Sequence, residues 1–527
     1  MTARTLTIGA STYPLVLPSL RDPRLHVASV IITIHVLGQV GLGFWVSVPQ
    51  ILAAILTAAI LEIAITFRQT KQLVWPASAM LTGSGVALIL RAVGTAPGDH
   101  WSLFAVPLFA TVAGLSLLSK YVIKYRGTHV FNPSNIGLVL AFVVLGSGRV
   151  EPLDFWWAPL NVWMIAAYAV ILGGGLLITR RLHLLALAAT FWLVLGGGVG
   201  LLAASGHCIV TRWSFAPVCG SDFWRTIVTS PEVMIFLFFM ITDPRTIPAS
   251  RVGRVAFAGL VGLVSTLLMA PQVDEFGTKV GLLAGLMVVS AVRPFIERAF
   301  PEPKTPADDL RAYATRLLGG AGAGIRPRAV RAALAAVLLV AYGGGVVLAG
   351  TPARGAVGGT SSSEILDRLP SQVDPGTLPP VTVGQDVATY DPVLAEPASM
   401  QEVLVTLAQN LELENQALLR RDASILSEVD HGDRLAEMQA RLQAAASTGT
   451  TVVEHYQFAS VSVRMILPFG VQVAPSLGLD STGTVVTETY DSSGRLLSSQ
   501  SAPFELTFVL RRATGDRWLD VAVLPLT

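Results

Sequence analysis

Long apolar stretches constrain this chain more than any other feature of its sequence. A helix needs about 20 mostly apolar residues to cross the hydrocarbon core of a membrane, and eleven stretches before residue 350 approach that length. Their centres lie near Thr33, Leu56, Gly83, Phe109, Leu140, Ala167, Val194, Leu237, Gly262, Leu286 and Leu339. With 52% hydrophobic and 14% charged residues among 527, the chain is too apolar for a soluble protein of this size. The sequence predicts a polytopic α-helical membrane protein with about 11 transmembrane helices.

Two of these stretches are interrupted by helix-breaking residues. The third contains Pro76 and the run Gly83-Ser84-Gly85, and the fifth is short because it follows Pro133. In membrane proteins built from repeats, interrupted spans mark binding sites near the middle of the bilayer. They are therefore the first places in which to search for a site.

The distribution of charge orients the spans. Residues up to 350 hold 26 basic and 14 acidic side chains, whereas the remaining residues hold 11 and 21. If the N-terminus is inside, the alternating spans place most arginines and lysines in the cytoplasm, as the positive-inside rule requires. The exceptions are Arg91, Arg149, Arg212, Arg225 and Lys279. This pattern predicts a multi-pass plasma-membrane protein, and it disfavours a secreted enzyme, a cytosolic enzyme and a nucleic-acid binder.

An odd number of spans places the end of the chain outside the cell. The predicted organisation has six parts: a cytoplasmic N-terminal segment at 1–25, a ten-helix membrane core at 26–300, a cytoplasmic loop at 301–328, an eleventh transmembrane helix at 329–350, an extracytoplasmic linker at 351–394 and an extracytoplasmic α+β domain at 395–527.

The last of these parts changes its pattern near Thr450. Residues 400–419 and 433–447 carry apolar side chains at helical spacing, which predicts two helices. After Thr450 the pattern alternates, which predicts strands separated by turns such as Ser492-Ser493-Gly494. Helices followed by an antiparallel sheet indicate an α+β domain. The order of its elements resembles the NTF2-like cone fold.

Both cysteines fall in one predicted outer loop. Cys208 and Cys219 lie in GHCIVTRWSFAPVCGSD, on the side of the membrane where thiols are oxidised. The orientation therefore predicts a disulfide between them, and the alternative is two free thiols.

The most distinctive polar motif is SKYVIKYRGTHVFNPSNIGL, at the start of the fifth span. Asn and Ser can cap the free amides of a helix that begins with Pro133, and a helix N-terminus beside basic side chains suits a phosphate or a ring carbonyl. The alternative is topogenic charge combined with a helix cap. The candidate binding residues of this motif are Lys120, Lys124, Arg126, His129, Asn132 and Asn135.

Two further motifs are predicted in the same inner half of the membrane. In FFMITDPRTIP the eighth span ends with Asp243, which either caps the helix, pairs with Arg245 or faces a cavity. In MLTGSGVALIL, Thr82 and Ser84 lie among glycines that permit the close approach of another helix or of a flat ligand. A shared location makes one binding site more plausible than any single motif does.

Together the three motifs resemble a family of membrane proteins with members in the Rnf electron-transport complex and in the sodium-pumping NADH:quinone oxidoreductase. The resemblance covers about residues 70–300 and is closest to stand-alone actinobacterial relatives, including proteins of enediyne biosynthesis. It implies two inverted five-helix repeats and a bound flavin. However, the members of these complexes attach FMN to a threonine in an outer loop, and the corresponding loop here, GSGRVEPLDFWWAPLNV, contains no threonine. This departure argues against covalent FMN.

Three functions are compatible with these observations. The first is membrane electron transport with a noncovalent flavin (riboflavin or FMN) or a quinone. The redox centre would have to be borrowed or noncovalently bound, because the chain contains no CxxC, haem-attachment or P-loop motif and no metal-ligand pattern. The second is a solute or ion transporter or channel with inverted repeats. The third is a scaffold that presents the outer domain to a cell-envelope partner. Membrane lipid and a redox or cell-envelope protein are the predicted partners; no catalytic residue can be assigned.

Isolated charges receive simpler interpretations. Glu62 is predicted to be a paired or snorkelling carboxylate at the inner end of the second span. The acidic run from Glu428 to Glu437 is interpreted as a solvated helical face, and His431 as a solvated turn residue.

Overall fold

The chain folds as two compact units. The computed structural model describes residues 4–8, 11–19, 21–95, 98–153, 161–211, 213–300, 325–351, 365–366, 369, 373–466, 475–513 and 517–526. The helical unit consists of Met1–His207 and Cys219–Ala353, and the C-terminal unit consists of Cys208–Val218 and Arg354–Thr527.

The helical unit contains most of the apolar sequence. Its described helices are α1 Pro23–Val40, α2 Val48–Thr70, α3 Ala77–Ile89, α4 Val106–Val122, α5 Pro133–Leu145, α6 Val162–Arg181, α7 Leu185–Ala204, α8 Gly220–Thr229, α9 Pro231–Ile235, α10 Arg251–Met269, α11 Glu275–Ala299 and α12 Ile325–Ala349, with a π-helix at Phe236–Met240 directly after α9. Helix starts carry the expected signals, since Asn132 caps α5, Asn161 caps α6 and Ser250 caps α10.

Seven described helices are long and apolar enough to cross a membrane, counting α8, α9 and the π-helix as one. Four shorter apolar helical segments, Ala77–Ile89, Val106–Val122, Pro133–Leu145 and, within α12, Ala336–Ala349, lie where the third, fourth, fifth and eleventh spans were predicted. The fold is that of a helical membrane protein with a C-terminal domain. The described helices of spanning length are fewer than the eleven predicted spans, because α3 and α5 begin late, after Pro76 and Asn132, and have 13 residues each.

The predicted break in the third span is only partly correct. Helix α3 begins after Pro76, but it continues without interruption through Gly83-Ser84-Gly85. A Cβ atom at Gly83 would overlap the backbone of Ala54 in α2. The glycine therefore serves close helix packing.

Neighbouring helices repeat one pattern in the two halves of the helical unit. Helix α2 packs against α3 and α4, and α4 packs against α5. In the second half, α7 packs against α8 and α10, and α10 packs against α11. Each half thus contains the same arrangement of consecutive neighbours.

The N-terminal segment contains structure that the sequence did not indicate. Strands β1 Arg4–Ile8 and β2 Ser11–Val16 form an antiparallel hairpin, and β2 pairs in parallel with β3 Leu73–Val74. Short antiparallel pairs also join β4 Leu90–Ala92 to β7 Val150–Pro152, and β5 Lys124–Tyr125 to β6 Thr128–His129.

The C-terminal unit combines helices with a five-stranded, mostly antiparallel sheet. After β8 Cys208–Ile209 and part of β9 Val218–Cys219, its described elements are β10 Val381–Val383, α13 Gln385–Tyr390, α14 Pro397–Arg420, α15 Ala423–Val429, α16 Gly432–Thr448, β11 Thr451–Ile466, β12 Ser476–Tyr490, β13 Leu496–Arg512 and β14 Trp518–Pro525. The strand order is β10-β11-β12-β13-β14, with β10 parallel to β11 and the other pairs antiparallel.

Part of the predicted linker belongs to this fold. Strand β10 pairs with β11, and Val387 and Leu394 are buried in the main core of the C-terminal unit. The predicted boundary at residue 395 is therefore too late.

One loop of the chain's first half also belongs to the C-terminal unit. Phe215 is 4% exposed and lies in the same core, with its ring 4.9 Å from that of Tyr390 and 5.7 Å from that of Trp518. The predicted disulfide between Cys208 and Cys219, at the two ends of this loop, is confirmed.

Candidate functional site

A cavity of about 390 Å³ collects residues from all three polar motifs of the helical unit. Thr82 from α3, His129 from β6, Asn132 at the start of α5 and Asp243 after the π-helix line it together. This volume falls within the usual range for small-molecule sites. We call it the motif cavity.

Asn132 is fixed by its role as the cap of α5. Its Oδ1 accepts from the backbone N–H of Asn135 at 3.3 Å and from Oγ of Ser134 at 2.8 Å, and its Nδ2 donates to the carbonyl oxygen of Met240 at 3.3 Å. The residue is 7% exposed. One N–H of its amide remains to reach a ligand.

The carbonyl group that Asn132 contacts belongs to the π-helix Phe236–Met240. The backbone N–H of Ile241 bonds to the carbonyl of Phe236 at 3.0 Å, five residues back. Widened turns of this kind are rare and occur frequently at functional sites. Phe238 and Phe239 from this segment line the cavity and supply aromatic surface.

His129 and Asp243 face each other in the cavity wall. His129 Nε2 lies 3.6 Å from Oδ2 of Asp243, and the side chains are 7% and 22% exposed. The other carboxylate oxygen of Asp243 accepts from the backbone N–H of Arg245 at 3.0 Å. The pair brings a proton donor and acceptor to the ligand space.

A tight hairpin positions His129. Arg126 and Gly127 connect β5 and β6 with φ values of 48° and 80°, as a two-residue type I′ turn requires. Glycine accommodates the second value without strain. Lys124 is directly opposite His129 in this hairpin.

Arg293 of α11 hydrogen-bonds to both the motif that contains His129 and the motif that contains Asp243. Its guanidinium donates to the carbonyl oxygen of Arg245 at 2.9 Å and to Oγ1 of Thr128 at 3.2 Å, and its side chain is 2% exposed. The side chain thus holds the Asp243 turn and the hairpin in one arrangement. From the sequence, Arg293 was assigned only to the cytoplasmic charge.

Several predicted site residues do not line the motif cavity. Lys120 forms an ion pair with Glu62 at 2.8 Å, which confirms that Glu62 is a paired carboxylate. Ser84 points to a different neighbour, because its Oγ lies 3.2 Å from Nε2 of His35. These polar groups satisfy each other between packed helices.

The three remaining candidates also lie elsewhere. Asn135 donates to the carbonyl oxygen of Leu283 at 3.0 Å and is 1% exposed. Lys124 and Arg126 are exposed on the hairpin, over the rings of Tyr121 and Tyr125. The expectation that these basic residues hold the ligand is not supported, because the hairpin directs them away from the described lining.

The contribution of the first helix was not predicted from the sequence. Asp22 and Arg24 line the cavity, and they form an ion pair at 2.6 Å. Asp22 also caps α1. The available signal was an aspartate directly before Pro23, which is typical of a helix start.

The C-terminal unit contains a separate cluster of buried carboxylates. Oxygens of Glu414, Asp430 and Asp520 lie within 4.8 Å of one another. Arg434 binds both oxygens of Glu414, at 2.8 and 2.5 Å, and Asn410 donates to Asp520 at 3.2 Å. The three carboxylates are close enough to share a cation or a proton.

Burial controls the titration of this cluster. Burial, reinforced by the charge of Glu414, raises the pKa of Asp430 and of Asp520 well above the ordinary value. Asp430 is 1% exposed and Arg434 is 3% exposed. The interpretation of the acidic run as a solvated face holds for Asp433 and Glu437, which are exposed. It fails for Asp430, which is buried, and α16 turns Arg434 inward to Glu414. His431 is also not simply solvated, because its Nε2 lies 3.2 Å from Nη1 of Arg511.

No protein-family model matches this chain, and no curated protein matches it. The resemblance to membrane proteins of the Rnf complex and of the sodium-pumping NADH:quinone oxidoreductase therefore rests on the sequence motifs alone.

Proposed function

We propose that the helical unit binds a noncovalent flavin or a quinone in the motif cavity and takes part in membrane electron transport. The observation that carries this proposal is the convergence of three sequence motifs, which together span more than 100 residues of the chain, on one cavity. Polar side chains whose only role was to set the orientation of the helices in the membrane would not need to line the same cavity.

The chemistry of the lining supports an aromatic, hydrogen-bonding ligand. Phe238 and Phe239 offer ring faces, while His129, Asn132 and Asp243 offer donors and acceptors. A flavin or quinone ring combines a flat apolar body with carbonyl groups at its edge. Such a ligand would supply the redox chemistry, and the protein would bind and orient it.

The proposal includes the membrane topology. The seven long helices and four shorter apolar helices would together make eleven crossings, and the repeated neighbour pattern supports two five-helix repeats. An odd number of helices per repeat requires inversion of the second repeat relative to the first. The C-terminal unit would then be extracytoplasmic.

The C-terminal unit would meet a redox or cell-envelope protein. Its helix α14 packs against β10, β11 and β14 of the five-stranded sheet, which supports the likeness to an NTF2-like cone. The loop that contains Phe215 is part of this unit, so both must lie on the same side of the membrane. The disulfide at the ends of the loop supports placing both on the oxidising side.

Paired substitutions test the ligand site. The double variant Asn132→Ala, Asp243→Ala should lose most of the flavin or quinone that co-purifies with the wild type, because each lost polar contact weakens binding by about 1–3 kcal/mol. Ligand content is measured by absorbance and by solvent extraction.

The matched control is Asn161→Ala, Asp274→Ala. These residues cap α6 and α11 as Asn132 caps α5, but they lie outside the described cavity lining. Equal loss of ligand from both double variants would show that cap loss alone is responsible, and a wild type without flavin or quinone would defeat the redox proposal.

Transport is the second candidate, and a specific observation favours it. A smaller cavity of about 40 Å³ shares Leu88, Ile89, Ile235 and Met240 with the motif cavity and contains Glu232 and Lys279 in its lining. Lys279 is paired with Glu275 at 2.6 Å and with Glu232 at 3.5 Å. Charged groups buried at membrane depth often mark an ion path.

Flux measurements test this candidate. Proteoliposomes that hold the full chain should dissipate a proton or sodium gradient, and Glu232→Gln should slow the flux. Absence of any flux above that of empty liposomes would eliminate transport of these ions.

A further inference from the structure

Another cavity of the helical unit lies beside the motif cavity and has a different character. Its volume is about 780 Å³, and it shares Pro23 and Leu182 with the motif cavity. Among the residues that the structure describes, no acidic side chain lines it. Its basic side chains are Arg180, Arg181, Arg251, Arg254, His26 and His183.

Three long helices begin at this cavity. Pro23, Leu185 and Arg251 are the first residues of α1, α7 and α10, and all three line the cavity. Helix N-termini carry partial positive charge and unpaired amides. No side chain caps the first turn of α7. Asp22 and Ser250 cap α1 and α10, so the uncapped N-terminus of α7 is the helix end that adds to the field of the arginines.

Two of the arginines are available to a ligand. Arg180 and Arg181 are exposed at the end of α6. Within the described part of the chain, neither has an ion pair with a carboxylate. Arg254 is held differently, because its Nε donates to the carbonyl oxygen of Pro248 at 3.2 Å.

The rest of the lining is apolar. Leu177, Ile178, Leu187 and Val255 face the same cavity. A free inorganic anion would gain nothing from contact with these aliphatic side chains. The combination of positive charge with aliphatic side chains instead matches an amphiphile that has a phosphate head and hydrocarbon chains.

We infer that this cavity binds an anionic phospholipid, with its phosphate among Arg180, Arg181 and the N-terminus of α7 and with an acyl chain along the aliphatic lining. This inference is independent of the proposed redox function, because it uses different side chains. It also goes beyond topogenic charge, which requires basic residues on one side of the membrane but not around a cavity.

The test is the binding of a fluorescent phosphatidylglycerol to the detergent-purified full chain. The variant Arg180→Gln, Arg181→Gln should bind the lipid about ten-fold more weakly or worse than the wild type. The control variant Arg68→Gln, Lys71→Gln removes two exposed cations that lie outside the described lining of this cavity, and its affinity should stay within about two-fold of the wild type. Both variants alter exposed side chains, and their thermal unfolding is compared to verify the fold.

Competition separates the possible ligands. Unlabelled phosphatidylglycerol should displace the probe, whereas phosphatidylcholine and inorganic phosphate at equal concentration should not. Displacement by phosphate would show that a free anion occupies the site and would overturn the lipid assignment. Displacement by phosphatidylcholine, or equal weakening in the two variants, would overturn it as well.

Discussion

The loop at residues 208–218 provides a quantitative prediction about the C-terminal unit. Phe215 is 4% exposed in the core of that unit and contacts the rings of Tyr390 and Trp518. The substitution Phe215→Ala removes a buried ring and leaves a cavity between the two remaining rings. Changes of this kind cost about 3–5 kcal/mol of unfolding free energy.

This free energy translates into a measurable shift in melting temperature. For a unit of roughly 150–250 residues, each kcal/mol lowers the Tm by about 2–4 °C. We therefore expect the C-terminal transition to fall by about 6–20 °C, as followed by the intrinsic fluorescence of the detergent-purified full chain.

A second alanine substitution provides the comparison. Leu497 lies in β13 of the same unit and is 50% exposed, so Leu497→Ala should lower the Tm by no more than about 2 °C. Equal Tm values for Phe215→Ala and Leu497→Ala would refute the assignment of the loop to this core.

Three further predictions concern topology, redox state and pH. A single cysteine in place of Ser492, in a variant without Cys208 and Cys219, should react with a membrane-impermeant maleimide in intact cells; reaction only after lysis would contradict the extracytoplasmic placement. Peptide mapping without reductant should recover Cys208 linked to Cys219, and two alkylatable thiols in fresh protein would contradict the disulfide. Burial raises the pKa of Asp430 and Asp520, so the folded unit binds these two protons more tightly than the unfolded chain does. The stabilisation from this proton binding is complete below about pH 4 and is lost as the pH rises through the raised pKa values. Asp430→Asn should therefore raise the Tm of the C-terminal unit more at pH 8 than at pH 5, and a pH-independent difference would argue against a raised pKa.

The sequence predicted those features that depend on local pattern. The apolar stretches located most of the helices, and the alternation after Thr450 located the strands of the sheet, since β11 begins at Thr451. The cap at Asn132 was also readable, because an asparagine before Pro133 satisfies local backbone groups. Each of these features is determined by residues close together in the chain.

Contacts between residues that are far apart in the chain could not be predicted from the sequence. Nothing near Arg293 in the sequence indicates that it reaches Arg245 and Thr128. The destination of Lys120 was also missed, since its ion pair with Glu62 crosses from α4 to α2. Basic residues in one motif look equivalent in sequence, and only the hairpin between β5 and β6 separates exposed Arg126 from His129 in the cavity.

A density map tests most directly whether the three motifs form one ligand site. The full chain would be purified with its native lipids, and its map obtained at a resolution that shows flat ring systems. We predict ring-shaped density between Thr82, Asn132 and Asp243, against Phe238 and Phe239. An empty motif cavity in a sample that carries flavin or quinone elsewhere would contradict this site.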